Sequence, residues 1–254
     1  PLGEIGGKGL FTKEIEDALL AGDIDIAVHS MKDMPTVLPD GLVIPCLLPR
    51  EDVRDGFVSL IHESLDAMPQ GAVVGSSSLR RRAQLLHRRP DLKVVEFRGN
   101  VQTRLRRLEE GVAEATFLAC AGLRRLGQAE LIRAAIEPSE MLPACAQGAI
   151  GIETREGDTT TADLLAPIHD GPTATQLAAE RAFLAALDGS CRTPIGGLAE
   201  IDGDRLRFRG EIVRPDGSER LKAERSGALE GAADMGQDAA QELRSHAGPG
   251  FFDG

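Results

Sequence analysis

The chain has no tryptophan and no tyrosine, and its aromatic side chains amount to eight phenylalanines. Proteins that stack nucleic-acid bases interleave aromatic faces with basic residues, so this lack argues against a nucleic-acid partner. Long apolar runs are missing too: none approaches the roughly 18 residues of a membrane-crossing helix, and no membrane partner is expected. The four cysteines, Cys46, Cys120, Cys145 and Cys191, are scattered without a Cys-x-x-Cys pair, and no histidine stands at ligand spacing beside them. Neither a disulfide framework nor a metal site is indicated, and the expected setting is a reducing cytoplasm. There is no signal peptide and no initiator methionine; the opening Pro1-Leu2-Gly3 predicts residues missing upstream. No internal repeat or low-complexity tract stands out.

What is there is ordinary soluble composition, 254 residues of which 42% are hydrophobic and 27% charged. That length accommodates two domains or three small ones. A net charge of −11 would repel polyanions, but it is unevenly spread. Between residues 71 and 133 twelve arginines and one lysine face six acidic residues, a local +7 that leaves −18 for the rest. One strongly basic stretch without aromatic interleaving suits a small polyanion better than a nucleic acid.

Apolar periodicity predicts a helix through Phe11, Ile15 and Leu19, closed by Gly22, then a buried strand at 24–28. Further strands are expected at 42–48 and 57–61. Three strand-to-helix units follow: 72–75 into a helix from Leu79 to about His87, 93–97 into 101–110, and 115–119 into a helix around Leu123. This alternation predicts an α/β protein with parallel sheets, whose ligands sit beyond the carboxyl ends of the strands. Pro138, Pro143 and the turn at 146–148 read as a linker before one more strand at 149–153. A helix is expected at 173–187. The tail carries hairpin turns at Asp202-Gly203-Asp204 and Pro215-Asp216-Gly217 and a last helix at about 232–246, an α+β unit.

Chemistry is sought first in the loops after strands. Residues 26–35 place His29, Ser30, Lys32 and Asp33 directly after a strand, which makes Asp33 a candidate catalytic acid; helix capping and pairing with Lys32 is the plainer alternative. Gly75-Ser76-Ser77-Ser78-Leu79-Arg80-Arg81-Arg82 offers free N–H groups at a helix start beside guanidiniums that clamp carboxylates; a capped surface helix is the alternative. Arg98 and Arg104 after the next strand, and Arg124 and Arg125 after the third, repeat the design. With strand ends aligned, Arg80, Arg81, Arg98, Arg104 and Arg125 would converge on one cleft. The glycines around Lys8 superficially suggest a phosphate-binding loop, but Leu2 and Gly9 occupy positions that need Gly and Ser or Thr, so a nucleotide site is rejected. Cys191 is the cysteine expected to be accessible, with Arg192 beside it to favour thiolate, or else it is an ordinary loop thiol.

These segments, at 6–20, 25–35, 75–85, 88–105, 121–127, 146–153 and 178–197, resemble in order and spacing the porphobilinogen deaminase family across essentially the whole chain. The resemblance implies two periplasmic-binding-protein-like α/β domains and a small α+β C-terminal domain. Residues 1–48 with 149–168 would form the first, lacking its first strand; 49–148 the Arg-rich second; 169–254 the third. It also implies a transferase that polymerises four porphobilinogen molecules head to tail into hydroxymethylbilane, with release of ammonia, on a dipyrromethane cofactor held by a thioether to Cys191. Asp33 would be catalytic, and Lys32, Ser78, Arg80, Arg81, Arg98 and Arg104 would bind cofactor. Arg125, Gln147 and Lys8 would contact substrate, Lys8 from a flexible loop. The expected partner is the small molecule porphobilinogen, with a downstream uroporphyrinogen synthase, and the expected state is a monomer. The alternatives are a non-catalytic carboxylate-binding module on the same scaffold, or an inactive fragment.

Overall fold

The computed structural model describes residues 7–189 and 193–252. In chain order the elements are α1 (Gly7–Ala21), β1 (Ala27–Ser30), β2 (Leu42–Leu47), β3 (Asp55–Ser59), β4 (Val73–Gly75), α2 (Leu79–Arg88), β5 (Lys93–Val95), α3 (Val101–Glu109), β6 (Ala115–Ala119) and α4 (Cys120–Arg125). They continue with β7 (Ala134–Ile136), β8 (Ile150–Arg155), α5 (Thr159–Leu165), α6 (Gly171–Ala186), β9 (Ile195–Asp202), β10 (Arg205–Val213), β11 (Arg220–Ala228) and α7 (Ala232–Ala247). A short 3-10 turn, Met31–Asp33, follows β1. No helix among the described residues is long and apolar enough to cross a membrane.

Three sheets organise these elements, with strand orders β1-β8-β2, β5-β4-β6-β3-β7 and β11-β10-β9. The expected α/β class with an α+β tail is what forms, but the expectation of parallel sheets needs correction. Among the described residues, only β4 with β5 and β4 with β6 pair in parallel, and every other pairing is antiparallel. Parallel pairing requires a helical crossover, which α2 and α3 supply; β8 instead returns from the five-stranded sheet between β1 and β2 and runs against both.

Local chemistry accounts for most boundaries. Ser78, Asn100, Asp158 and Asp170 each accept a backbone N–H at the start of α2, α3, α5 and α6. Gly22 ends α1 with φ of 78°, a left-handed value glycine takes without cost. The strand after α1 begins later than its apolar run suggests, because Ile26 is exposed and ladder pairing starts at Ala27. Ile15, expected on the core face of α1, is 38% exposed, whereas Leu19 is fully buried. From Gly7 onward the backbone is helical, so the loop expected around Lys8 is there the first turn of α1.

The sheets have separate cores. Phe57 and Phe117 meet edge to face beneath the five-stranded sheet, with ring centres 5.9 Å apart. Phe183 of α6 and Phe208 of β10 anchor the third, at 5.0 Å. There α7 lies against α6 at Gly236, where a Cβ would strike the carbonyl of Ala179.

Candidate active site

Since β3 runs against β6, pairing Asp55 with Ala119, its first residue lies beside the carboxyl ends of β4 and β6. All of β3 is buried, and Asp55 carries a charge into that environment with no exposed surface. Such a charge persists only when paired. The partners come from the first turn of α2. Arg81 donates to Asp55 Oδ1 from Nε at 3.0 Å and from Nη2 at 2.6 Å, and from Nη1 to the Phe117 carbonyl at 2.9 Å. Arg80 Nη1 stands 2.8 Å from Asp55 Oδ2 as an ionic contact, while its hydrogen-bond geometry is met at the Leu142 carbonyl, also 2.8 Å away. Burial alone would raise the Asp55 carboxyl, but the two guanidiniums outweigh it and hold the group well below the usual carboxylate range.

A second element reaches this point from the first sheet. Lys32, in the turn after β1, donates from Nζ to Gln147 Oε1 at 3.4 Å, and Gln147 Nε2 donates to Asp55 Oδ1 at 3.0 Å and to the Val53 carbonyl at 2.8 Å. Burial, and then the charge of Arg81, lower the Lys32 ammonium to about 8, with Asp33 and Asp55 opposing and Arg80 adding to the fall. Positions 32, 55, 80, 81 and 147 therefore meet where the first sheet faces the second, with Asp33 next to Lys32 in the chain. Asp33 is exposed at the end of its turn.

The other arginines are spread along the same edge. Arg104 is half-buried, donates to the Gly99 carbonyl at 2.9 Å, and loses some basicity to burial and to the nearby charge of Arg81. Arg125 donates to the Gly148 carbonyl at 2.9 Å, next to Gln147. Arg98 stands apart from Asp55, 68% exposed on its side chain and paired with Glu96. Ser78 caps α2 and Ser77 donates to the Phe97 carbonyl at 3.1 Å, so the serine turn is spent in part on its own backbone. His29 pairs with the buried Glu153 at 2.9 Å, as a hydrogen-bonded strand-end residue. Cys191 and the side chain of Lys8 lie outside the described residues.

Two features escaped the reading of the sequence. One is Asp55; an acidic residue opening the fully buried run Asp55-Gly56-Phe57-Val58-Ser59 signals a buried cation partner. The other is Glu180, which accepts Arg50 in bidentate fashion at 2.7 and 2.9 Å and the N–H groups of Ala146 and Ala199 at 2.5 and 2.8 Å. Arg50 Nε also donates to the Gln147 carbonyl at 3.1 Å, so one buried node ties α6, β9 and the linker behind the cleft.

Arg80 and Arg81 share the buried carboxylate of Asp55, Lys32 reaches it through Gln147, and Arg80 Nε is buried without a hydrogen-bond partner. Fold and site together define an α/β protein with a cluster of buried cations, the kind of site that suits carboxylates, between two of its sheets. Residues 1–163 match the family model of the porphobilinogen deaminase dipyromethane cofactor binding domain, and residues 174–245 match that of the C-terminal domain. The chain belongs to the porphobilinogen deaminase family.

Porphobilinogen deaminase of Paracoccus denitrificans is 69% identical over 253 residues, covering 100% of this chain and 81% of the relative. The chloroplastic porphobilinogen deaminase of rice, Oryza sativa subsp. japonica, is 56% identical, covering 100% of this chain and 72% of its own. That of Nitrobacter hamburgensis is also 56% identical, covering 99% and 80%. Among solved structures, a putative methionine-binding lipoprotein from Bacillus subtilis shares 12% identity at a TM-score of 0.42, over 63% of this chain and 76% of the other. That likeness is too loose to carry meaning for this chain.

Proposed function

We propose that this chain joins four porphobilinogen molecules head to tail into hydroxymethylbilane, with release of ammonia, on a dipyrromethane cofactor, and that Asp33 is its catalytic residue. The observation that supports the reading is the gathering of Arg80, Arg81 and, through Gln147, Lys32 around the buried Asp55, with Asp33 next to Lys32 in the chain. Porphobilinogen carries an acetate and a propionate on its ring, and a cofactor of two such rings doubles that charge. The cleft fits it: Arg80 Nε is an unpartnered buried donor, and the cations outnumber the one anion they share. Lys32, Ser78, Arg80, Arg81, Arg98 and Arg104 would hold the cofactor's carboxylates, with its thioether at Cys191. Arg125, Gln147 and Lys8 would hold the incoming substrate. When bound, the cofactor supplies the electron-rich pyrrole carbon at which the new carbon–carbon bond is made.

Asp33 does the rest. The aminomethyl group of porphobilinogen is an ammonium near neutral pH, and its C–N bond breaks with the electron pair leaving on ammonia. The methylene pyrrole left behind is a cation, and a fixed carboxylate beside it lowers the barrier electrostatically. The same Asp33 oxygen can then take the ring proton released when the new bond forms, as general base. Full-length protein incubated with porphobilinogen should release hydroxymethylbilane, seen as its cyclised uroporphyrin. Asp33→Asn should keep the fold and lose roughly 10²- to 10⁴-fold in turnover. Product from the asparagine variant at the parental rate would remove Asp33 from the chemistry.

The division into residues 1–48 with 149–168, 49–148 and 169–254 belongs to the same proposal, supported by the three sheets and their separate cores. So do a monomeric state, a cytoplasmic location, supported by the buried free thiols of Cys46, Cys120 and Cys145, and a downstream uroporphyrinogen synthase that closes the open product.

A further inference from the structure

We infer that Asp55 is a positioning residue of the cleft: it fixes how Arg80 and Arg81 present their guanidiniums to carboxylate ligands, and through Gln147 it holds Lys32 beside Asp33. The inference rests on the reading above that these two arginines bind the cofactor, to which the incoming porphobilinogen is joined, so that a misplaced cofactor is read in KM as well as in loading.

A guanidinium has five N–H groups in a planar fork. In Arg81 the Nε edge is taken by Asp55 Oδ1 through Nε and Nη2, and one Nη1 hydrogen by the Phe117 carbonyl. What remains is one hydrogen on each terminal nitrogen, both away from the Nε edge, as donors for a carboxylate. Asp55 thereby decides which edge is offered. Arg80 is tethered at Nη1 between Asp55 and the Leu142 carbonyl, which leaves Nε and Nη2 to a ligand. Without the Asp55 charge both side chains would be free to turn, and two unbalanced cations would stand side by side in a buried place. The same Oδ1 accepts from Gln147, whose Oε1 receives Lys32. One carboxylate therefore reaches groups contributed by both sheets.

The test uses the full-length, cofactor-loaded protein and three comparisons, with porphobilinogen as the probe and intact mass as the measure of cofactor loading. Arg81→Met should raise KM and lower loading; if both stay parental, the reading beneath falls, and the inference with it. Asp55→Asn should lower the loaded fraction and raise KM by about tenfold, the scale of one charged hydrogen bond, while kcat per loaded molecule changes far less because Asp33 is intact. If Arg81→Met raises KM and Asp55→Asn, though destabilised, keeps parental KM and loading, Asp55 is merely structural and the inference alone is overturned. Should Asp55→Asn not fold, the charge-matched pair Asp55→Asn with Arg80→Met is compared with Arg80→Met by itself. A KM higher in the pair supports aiming of Arg81 by Asp55, and an equal KM overturns it. A further readout needs no variant: in the parental protein the Nε–H proton of Arg81 should exchange slowly with solvent, and a freely exchanging one would contradict the fixed edge.

Discussion

Lys32 carries a charge that most of its surroundings oppose. Burial beside Arg81 lowers its ammonium from an ordinary 10.5 to about 8. Between those values the unfolded chain binds more protons than the folded one, so stability rises with pH across that window, and the full penalty is present below 8. Lys32→Met should therefore be more stable than the parent at pH 7, with an advantage that shrinks as the pH approaches 10, measured by urea unfolding at each pH. Ligand binding should run the other way. Carboxylates favour the charged amine, so cofactor loading, read by intact mass, should fall as the pH passes 8. The thiols behave differently: burial pushes Cys120 up to about 11, leaving it neutral and unreactive through the physiological range.

Among the elements, the pairing of α6 with α7 has the least room to change. A methyl at Gly236 would meet the Ala179 carbonyl, and the helix backbone, unlike a side-chain tip, has no rotamer into which it can retreat. Gly236→Ala should cost about 1–3 kcal/mol, read as a lower urea midpoint with an unchanged slope. Helix α2 shows how placement and role come apart. Its boundaries were readable from Ser78 and the apolar spacing, but the direction of three successive arginines was not. Arg80 and Arg81 turn inward and Arg82 outward because a buried carboxylate, twenty-five residues earlier in the chain, waits on one face of the helix only. Nothing within the segment 75–85 encodes that partner. Strand β7 and helix α5 were likewise missed, both being short and lacking a strong apolar period.

Across the whole molecule, the node at Glu180 ties the C-terminal sheet to the linker and to Arg50. Glu180→Gln would leave the Arg50 guanidinium buried without its charge partner, and should cost roughly 3–5 kcal/mol in unfolding free energy. Separate probes of the C-terminal sheet and the Arg-rich sheet should then cease to unfold together if this node is what couples them.

Gln147 was pointed to only by the family resemblance, whereas most of the order of helices and strands, the hairpin turns, the basic stretch and the candidates Asp33 and Lys32 were legible in the chain itself. Each depends on short-range patterns: periodicity, caps, turn residues and local charge. Which arginines face inward, which sheet pairs are parallel, and that Asp55 and Glu180 are the anions around which the cleft and its rear wall are built, were decided only by tertiary structure. Burial makes an unpaired charge costly, and the partner that relieves it can come from anywhere along the sequence.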